Sequence, residues 1–508
     1  MKKTIRRKIN FEKRKIDKRL KKALRQDGQS PVIHGGNIRY DLSERQGAIG
    51  SGGIGLIHLL AEQSGLVKNL NDYVEVLKQH RPYHESDHIL NIAYNILCGG
   101  QVLDDIELRR QDSIFLDGLG TESIPDPTTA GDFCRRFNAE SIDALMEAIN
   151  ITRLSMWQRF GQPELFKERA KIDADGTLVF TTGECKEGMD ITYKGGWGFH
   201  PLLVSLANTH EPLYLMNREG SRPSQEGAVP YLNRAVDLCL KAGWKEVLLR
   251  GDTAFSLTEE FDRWNEKGVK FVFGYDAMLN IKGIAQDIPE EEYARLVRHT
   301  EEAAAKPREK QVPYKRIKIL IRGYKHMELC AEDIVEFPYR PIKCKQTYRM
   351  IAVRKKISIE KGCYKLFDEY RYFFYITNDA TLSPMDVVHE ANERCDQENL
   401  IAQLKSGVRS LHAPLNTFNA NWAYMIMASL AWTLKAWLAL RLPICARWRV
   451  LHLHERKALL AMEFRTFLNI FMAIPAQIIR TGRRIVYRLL AWNPWQSKFF
   501  RLADVLQR

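Results

Sequence analysis

Residues Ser383 to Gly407, SPMDVVHEANERCDQENLIAQLKSG, predict one long helix whose two ends are both marked. Ser383 can cap the beginning, Pro384 suits the first helical position, and Asp386 completes a capping box. Gly407 can end the helix. The rest of the chain is organised around this predicted helix.

One face of the helix combines apolar and charged residues. At about 3.6 residues per turn, the residues of this face are Val387, Ala391, Arg394, Glu398, Ile401 and Lys405. Arg394, Glu398 and Lys405 are therefore predicted in the middle of an apolar face. Charges there cost several kcal/mol each unless they are paired or bound to metal or phosphate. A partly buried ion cluster would explain them, and so would a site that binds metal and phosphate.

Length and charge restrict the class of protein. A chain of 508 residues is long enough for about two to four domains. Its formal net charge of +14 and pI of about 9.2 favour a polyanionic partner. Nine cysteines without a CxxC pair indicate reduced thiols in a cytoplasmic protein and argue against a zinc ribbon or a disulfide framework.

Two segments are relevant to membranes. The basic N-terminus is followed by no apolar segment, so no secretory signal is predicted. The longest apolar run, Trp422 to Leu442, is interrupted by Lys435 and Arg441 and is better explained as a buried helix than as a membrane span.

The N-terminal third is predicted to be basic and then helical. Residues 1–26 are dense in Lys and Arg, which fits either a solvated, disordered arm or a nucleic-acid-binding arm. The candidate DNA-binding residues of this arm are Lys2, Lys3, Arg6, Arg7, Lys8, Lys13, Arg14 and Lys15. Residues 55–160 contain short periodic segments that suit a helix-turn-helix-like domain, although other helical bundles have the same pattern. His84 and His88, four residues apart with Asp87 between them, would be a weak metal site.

The hydrophobic period changes at Lys171. KIDADGTLVF alternates, with Asp173, Asp175 and Thr177 on one face. A hairpin, a helix, the strand KEVLLRGD, a second helix and the strand VKFVFG follow. The predicted order of elements is therefore three antiparallel strands followed by a helix, a strand, a helix and a strand. This is the order of an RNase H-like fold, an α/β architecture with a mixed sheet.

The predicted sheet is interrupted before the Glu398 helix. The segment between Tyr275 and Tyr370 is too long for a loop and rich in strand-forming residues, which predicts a β-rich insertion. The predicted domains are a basic arm (1–30), a helical DNA-binding domain (31–165), the first part of the catalytic core (166–275), the insertion (276–370), the second part of the core (371–430) and a helical, basic C-terminal region (431–508).

Three carboxylates are predicted to converge. Asp175 lies on the first strand, Asp252 follows a neighbouring parallel strand, and Glu398 faces inward from its helix. Sites form at strand carboxyl ends in such sheets, and converging carboxylates repel one another unless cations bridge them. Mg²⁺ fits, and two ions about 4 Å apart can bind the attacking and leaving oxygens of a phosphodiester. Arg394 and Lys405 would then contact phosphate oxygens along the same helix face.

Three blocks of the sequence, DADGT, RGDTAF and NERCDQENLIAQLK, resemble the active-site blocks of DDE transposases from bacterial insertion sequences. They are most similar to the cut-and-paste group with a β-strand insertion and a Y-x2-R-x3-E-x6-K signature. Arg394, Glu398 and Lys405 match that spacing, whereas Ala391 stands at the tyrosine position. DPTTAGDFCRRF, from Asp126, and GFHPLL are also similar to the family.

The resemblance implies the chemistry of the site. Asp175, Asp252 and Glu398 would be catalytic and would bind Mg²⁺, with Mn²⁺ as a substitute, and Arg394 and Lys405 would assist. Asp175 is preferred to Asp173 because Asp-x-Thr is the usual form in the family. The resemblance implies DNA cleavage and joining of the 3′-OH ends to target DNA, on double-stranded transposon-end and target DNA.

It also implies a homodimer on DNA, in the cytoplasm of a bacterium near the nucleoid, with no membrane partner. Relatives stack a flipped base on a tryptophan of the insertion. This chain has none between residues 275 and 370, so the candidates there are Tyr314, Tyr324, Tyr348 and Tyr364. Two alternatives stay open: a catalytically silent DNA-binding protein, such as a self-repressor or a domesticated transposase, and a nuclease without strand transfer.

Overall fold

The computed structural model describes residues 3–23, 47–161, 163–297, 322–362, 364–482 and 484–507. Lys2, Tyr314 and most of the predicted strand RIKILIRGY lie outside these residues, as does the end of the predicted basic arm. The basic residues of the arm that are described form one helix, α1 (Lys3–Ala23), which packs against the last helix of the chain.

The N-terminal region is helical after a two-residue strand, β1 (Ala48–Ile49). Its helices are α2 (Ile54–Ser64), α3 (Leu66–Tyr73), α4 (Glu85–Leu97), α5 (Ile106–Arg110), α6 (Ser113–Leu119), α7 (Pro127–Arg135) and α8 (Ala139–Met156). Local chemistry sets their starts. At α7 the side chain of Asp126 accepts a hydrogen bond from the Thr129 amide at 2.9 Å, and Pro127 occupies the first turn.

A mixed sheet with helices on its faces forms the centre of the molecule, which confirms the predicted α/β class. Its elements up to the insertion are β2 (Ala170–Gly176), β3 (Val179–Phe180), β4 (Asp190–Ile191), β5 (Trp197–Phe199), β6 (Leu202–Leu206), β7 (Glu211–Met216), α9 (Ala228–Ala242), β8 (Val247–Gly251), α10 (Thr258–Glu266) and β9 (Lys270–Tyr275). The strand order is β7-β6-β2-β8-β9, and β2 pairs antiparallel with β6 and parallel with β8. The short strands β3, β5 and β4 form a separate small sheet beside it.

The strands of the predicted insertion continue the same sheet. After α11 (Leu279–Asp287) come β10 (Ala294–Arg295), β11 (Lys325–Tyr339), β12 (Tyr348–Lys361) and β13 (Tyr364–Thr377). β13 pairs antiparallel with β9, so the sheet of described strands has nine members. The predicted boundary between residues 370 and 371 therefore lies inside β13.

Much of this insertion extends past the sheet edge at which β8 and β9 end. Phe374 of β13 pairs with Tyr275, the last residue of β9. Because the two strands are antiparallel, the ten residues from Tyr364 to Phe373 continue beyond that edge. At about 3.3 Å per residue they reach roughly 33 Å. We use the name "the arm" for the parts of β11, β12 and β13 that lie beyond this edge; it is distinct from the basic N-terminal arm.

The helix predicted from Ser383 to Gly407 is broken, so that prediction was wrong. Helix α12 (Pro384–Glu393) ends before Arg394, α13 (Cys395–Ala402) follows it, and Gln403–Gly407 is π-helical. The break rotates the second half, so Gln397, Leu400, Ile401 and Leu404 face the core. The Glu398 side chain is 62% exposed, and the prediction that it lies in the middle of a buried face was also wrong.

The remaining helices are α14 (Phe418–Leu440), α15 (Arg449–Leu460), α16 (Phe464–Phe467) and α17 (Gln496–Leu506). Of the described helices, α14 alone is long and apolar enough to cross a membrane, and its most apolar part is wholly buried inside the protein. Burial lowers the pKa of Lys435 on this helix to about 7. Its Nζ donates a hydrogen bond to the Leu460 carbonyl at 2.8 Å.

The prediction of helix throughout the C-terminal region was wrong. A hairpin of β14 (Ala476–Thr481) and β15 (Arg484–Leu489) lies between α16 and α17 and pairs with β1 to form a three-stranded sheet. Apolar and basic residues alternate in this segment, which suits a strand with one solvated face. Arg480 forms an ion pair with Asp117 of α6 at 3.0 Å.

Candidate active site

The sheet register brings two of the predicted carboxylates to the same edge. Asp173 of β2 lies opposite Arg250 of the parallel strand β8. Two residues further along each strand, Asp175 and Asp252 reach the carboxyl edge together. Asp252 also begins a short 3-10 helix, and its side chain accepts a hydrogen bond from the Ala254 amide at 2.9 Å. This contact orients the carboxylate at the strand end.

The third carboxylate comes from α13, which is held against the same edge by a buried amide. Gln397 donates a hydrogen bond from Nε2 to the carbonyl of Leu203 at 3.1 Å. Leu203 is the β6 residue that pairs with Asp175. Because Glu398 follows Gln397 directly, this bond fixes Glu398 above the end of β2. Upstream, Val387 and Val388 of α12 pack in a buried cluster with residues of the sheet.

Electrostatics show that the three carboxylates are neighbours. The pKa of Asp175 is raised to about 6, chiefly by burial and further by the charges of Asp252 and Glu398, and the Arg394 guanidinium opposes this rise. Nη1 of Arg394 lies 3.3 Å from Oδ2 of Asp175, and Nη2 lies 3.9 Å from Oε1 of Glu398. Arg394 therefore bridges two of the three acidic groups, where a cation is needed to offset their repulsion.

Asp173 has a different environment although it lies on the same strand. Both of its oxygens accept hydrogen bonds from Arg250, at 2.7 and 2.9 Å, and both side chains are fully buried. Arg250 also contacts Glu390 of α12 at 3.1 Å. The Asp173–Arg250 pair ties β2 to β8 and α12, and it engages both oxygens of Asp173 in hydrogen bonds.

Lys405 also lies near the carboxylates. It is half-buried on the π-helical turn, and its pKa is lowered by burial and by Lys194, whereas Asp175 raises it. His200 lies beside it, and its pKa is lowered by burial, by Arg218 and by Lys405. A Cβ at Gly176 would lie 2.7 Å from Nε2 of His200, so the glycine permits this close approach.

The sequence reasoning missed Lys194, His200 and Gln397. His200 lies within the GFHPLL block, which was the available signal, and Lys194 and Gln397 carry no pattern of their own.

Exposed aromatic side chains accompany Lys194 on the small sheet and its turn. They are Phe180, Tyr193 and Trp197, with 56%, 74% and 52% of their surface exposed.

Two other groups of predicted residues do not join the site. The basic residues of α1 that are described are exposed on that helix, and no contact between them and the three carboxylates exists among the described residues. Ala391, at the signature tyrosine position, is partly buried against the cluster around Val387.

Tyr348 is buried and its hydroxyl donates a hydrogen bond to Asp262 at 2.7 Å, so it cannot stack on a base. Tyr324 and Tyr364 are exposed near the far end of the arm.

The donor set fits a hard divalent cation, because Asp175, Asp252 and Glu398 offer only carboxylate oxygens and repel one another. In the described part of the chain these three groups do not all lie within 4.8 Å of one another. The three carboxylates thus form an acidic group at the carboxyl edge of a mixed sheet.

The sequence matches the model of a known family over most of its length. The family is described as Transposase DDE domain group 1, and the match covers residues 42–508. The chain belongs to this family, which confirms the resemblance to DDE transposases at that level. Among curated proteins no match was found. A similar solved structure is the cryo-EM structure of a piggyBac transposase synaptic complex with hairpin DNA, at 11% identity over 84% of each chain and a TM-score of 0.36.

Proposed function

We propose that the chain is a DNA transposase that binds transposon-end inverted repeats, cleaves the DNA and joins the 3′-OH ends to target DNA. Membership of the transposase DDE family supports the general activity. The observation that carries the finer proposal is the grouping of Asp175, Asp252 and Glu398 at one sheet edge, where Arg394 contacts Asp175 and Glu398. An RNase H-like core is part of the proposal and is supported by the strand order, with three antiparallel strands followed by two parallel ones.

Asp175, Asp252 and Glu398 would hold two Mg²⁺ ions, for which Mn²⁺ would substitute. Bound there, such ions activate the attacking oxygen and stabilise charge on the phosphate. Asp175 must be ionised to act as a ligand, which its pKa of about 6 permits at neutral pH. We prefer Asp175 to Asp173 for this role, a choice supported by the engagement of both Asp173 oxygens by Arg250.

Arg394 and Lys405 would position the DNA phosphates. In the free protein Arg394 neutralises Asp175 and Glu398. Once cations occupy the carboxylates, the guanidinium is free to donate a bidentate pair of hydrogen bonds to a phosphate. Lys194 lies close enough to Lys405 to lower the pKa of Lys405, so a phosphate between them would relieve their repulsion.

Further DNA contacts would come from α1 and from the small sheet. The exposed Lys and Arg residues of α1 suit binding to the phosphate backbone. Phe180, Tyr193 and Trp197 next to Lys194 combine stacking surfaces with positive charge, as single-stranded DNA requires. Trp197 is thus a candidate to stack on a base, in place of the insertion tryptophan that the chain lacks.

The remaining parts of the proposal concern assembly and source. We infer a homodimer on DNA, supported by exposed apolar side chains on the arm such as Met327, Leu329 and Phe367, which suit a protein contact. We infer an origin in a bacterial insertion sequence and a cytoplasmic location near the nucleoid. The location is supported by the described cysteines, all of which are free thiols.

The test uses a duplex that carries the inverted repeat found next to the reading frame. The variant Asp252→Asn should bind this duplex as the parent does and lose Mg²⁺-dependent cleavage and joining. Asp396→Asn, on the same helix as Glu398 but outside the acidic group, is the matched control and should cleave normally. Full cleavage by the Asp252 variant would contradict the proposal, and joining of pre-cut ends separates a transposase from a nuclease.

A further inference from the structure

A second group of metal-binding side chains lies in the N-terminal helical region, on elements that contribute nothing to the acidic site. His80 lies in the segment between α3 and α4, His84 immediately precedes α4, and Glu85 is the first residue of that helix. One ligand atom from each of the three side chains lies within 4.8 Å of the other two. The sequence alone suggested a different and weaker pair, His84 with His88.

One contact within the group has the spacing of two ligands on one ion. Nε2 of His80 lies 3.2 Å from Oε2 of Glu85. Two ligands of a tetrahedral Zn²⁺ site, each about 2.0 Å from the ion, are separated by about 3.3 Å. The ligand atoms of His80 and Glu85 are therefore separated by the distance that a shared ion requires.

Glu85 supplies a buried oxygen that lacks a hydrogen-bond donor. The side chain is only 1% exposed. Its Oε1 accepts a hydrogen bond from the Leu77 amide at 3.1 Å, which fixes the carboxylate. Its Oε2 is buried and accepts no hydrogen bond, and it faces His80. A buried carboxylate oxygen in this state is unfavourable unless a cation compensates it.

The two histidines are accessible from solvent. His80 and His84 are both exposed, and their rings stack with centroids 5.0 Å apart. His88 faces the other way: it stacks on Phe133 of α7, and burial lowers its pKa to about 4. An ion can thus enter from the side of His80 and His84 and reach the buried oxygen of Glu85.

We propose that His80, His84 and Glu85 bind one divalent transition-metal ion, for which Zn²⁺ is the best match. Two imidazoles and one carboxylate suit Zn²⁺, whereas Mg²⁺ prefers oxygen ligands alone. A fourth coordination position is left to water. The ion ties residues 74–84 to the start of α4 and so stabilises the helical region, a role separate from phosphoryl transfer.

The test is a titration of the full chain, freed of metal with a chelator, with Co²⁺ as a spectroscopic probe for the site. We expect one Co²⁺ per chain with the visible absorption of a tetrahedral site. Zn²⁺ should displace it, and Mg²⁺ should not. The spectrum should lack a thiolate charge-transfer band, because no cysteine is a ligand.

Variants identify the ligands. Loss of a group that only supports a ligand weakens metal binding by about 10–100-fold, so His84→Ala should weaken it by more than about 100-fold. Glu85→Gln should do the same, although the amide oxygen can still accept the hydrogen bond from Leu77. A control, His454→Ala, which removes an exposed histidine of α15, should bind normally.

The outcomes are distinct from those of the transposase test. Unchanged Co²⁺ binding by His84→Ala and Glu85→Gln, or a thiolate band, would assign the ion to an adventitious site elsewhere. Failure of the parent chain to bind one tetrahedral Co²⁺ would leave only a His80–Glu85 ion pair. Either result overturns the proposal, and neither depends on DNA cleavage.

Discussion

Asp173 and Asp175 lie two residues apart on β2, and replacing each in turn by asparagine should have opposite effects. In D173N, Arg250 loses a fully buried partner that binds it through two hydrogen bonds. Breaking a buried ion pair from one side costs about 3–5 kcal/mol. Arg250 keeps its contact with Glu390, so we expect a loss of about 3 kcal/mol in the free energy of unfolding.

D175N should be at least as stable as the parent. The pKa of Asp175 is about 6 in the folded protein, above the ordinary value of 3.8. At about 1.36 kcal/mol for each pH unit between these values, the ionised carboxylate destabilises the fold by roughly 3 kcal/mol. This penalty is fully present above pH 6 and disappears as the pH falls below 3.8. The neutral amide removes it at pH 7.

Thermal unfolding in the presence of a chelator, together with cleavage of end DNA, measures both effects. D173N should melt at a lower temperature than the parent, and D175N at the same temperature or a higher one. D175N should lose cleavage completely. If D175N cleaved DNA, or if D173N kept its stability and lost cleavage, the assignment of the two aspartates would be reversed.

Three further results are expected. Cleavage and the affinity for Mn²⁺ should decline as the pH falls below about 6, because Asp175 must lose its proton to act as a ligand, and an unchanged profile in this range would contradict its role. Trp197→Ala should weaken binding of single-stranded DNA by about 1–3 kcal/mol without loss of stability, whereas Trp448→Ala, at a similarly exposed position, should leave it unchanged. Lys435→Met should raise the melting temperature at pH 7. The pKa of Lys435 in the folded protein is about 7, below the ordinary 10.5, so the parent gains stability as the pH rises between these values. Equal pH dependence of the stability of both proteins would refute this.

The strand order and the acidic residues were predictable because the signals are local. Alternation around Asp173 and Asp175 identified β2, and the buried strand before Asp252 identified β8. Parallel pairing of these strands then brings their carboxyl ends together. The same local pattern could not distinguish Asp173 from Asp175, since that depends on Arg250 on the neighbouring strand.

Features that depend on tertiary contacts were not predictable. The break at Arg394 has no proline or glycine to mark it, and the position of α13 depends on the bond from Gln397 to the Leu203 carbonyl. The β14–β15 hairpin was predicted as helix although apolar and basic residues alternate in it. Its pairing with β1 joins residues more than 400 positions apart in the chain. Lys194 approaches Lys405 only through the small sheet.

The length of the arm has a consequence for the DNA that would be bound. The arm extends roughly 33 Å past the edge that carries Asp175 and Asp252, and one turn of B-form duplex is about 34–36 Å long. A duplex whose scissile bond lies at the carboxylates could therefore run alongside the arm for about one full turn. Nuclease footprints on one flank of the cut should then shorten in step with paired deletions from β12 and β13.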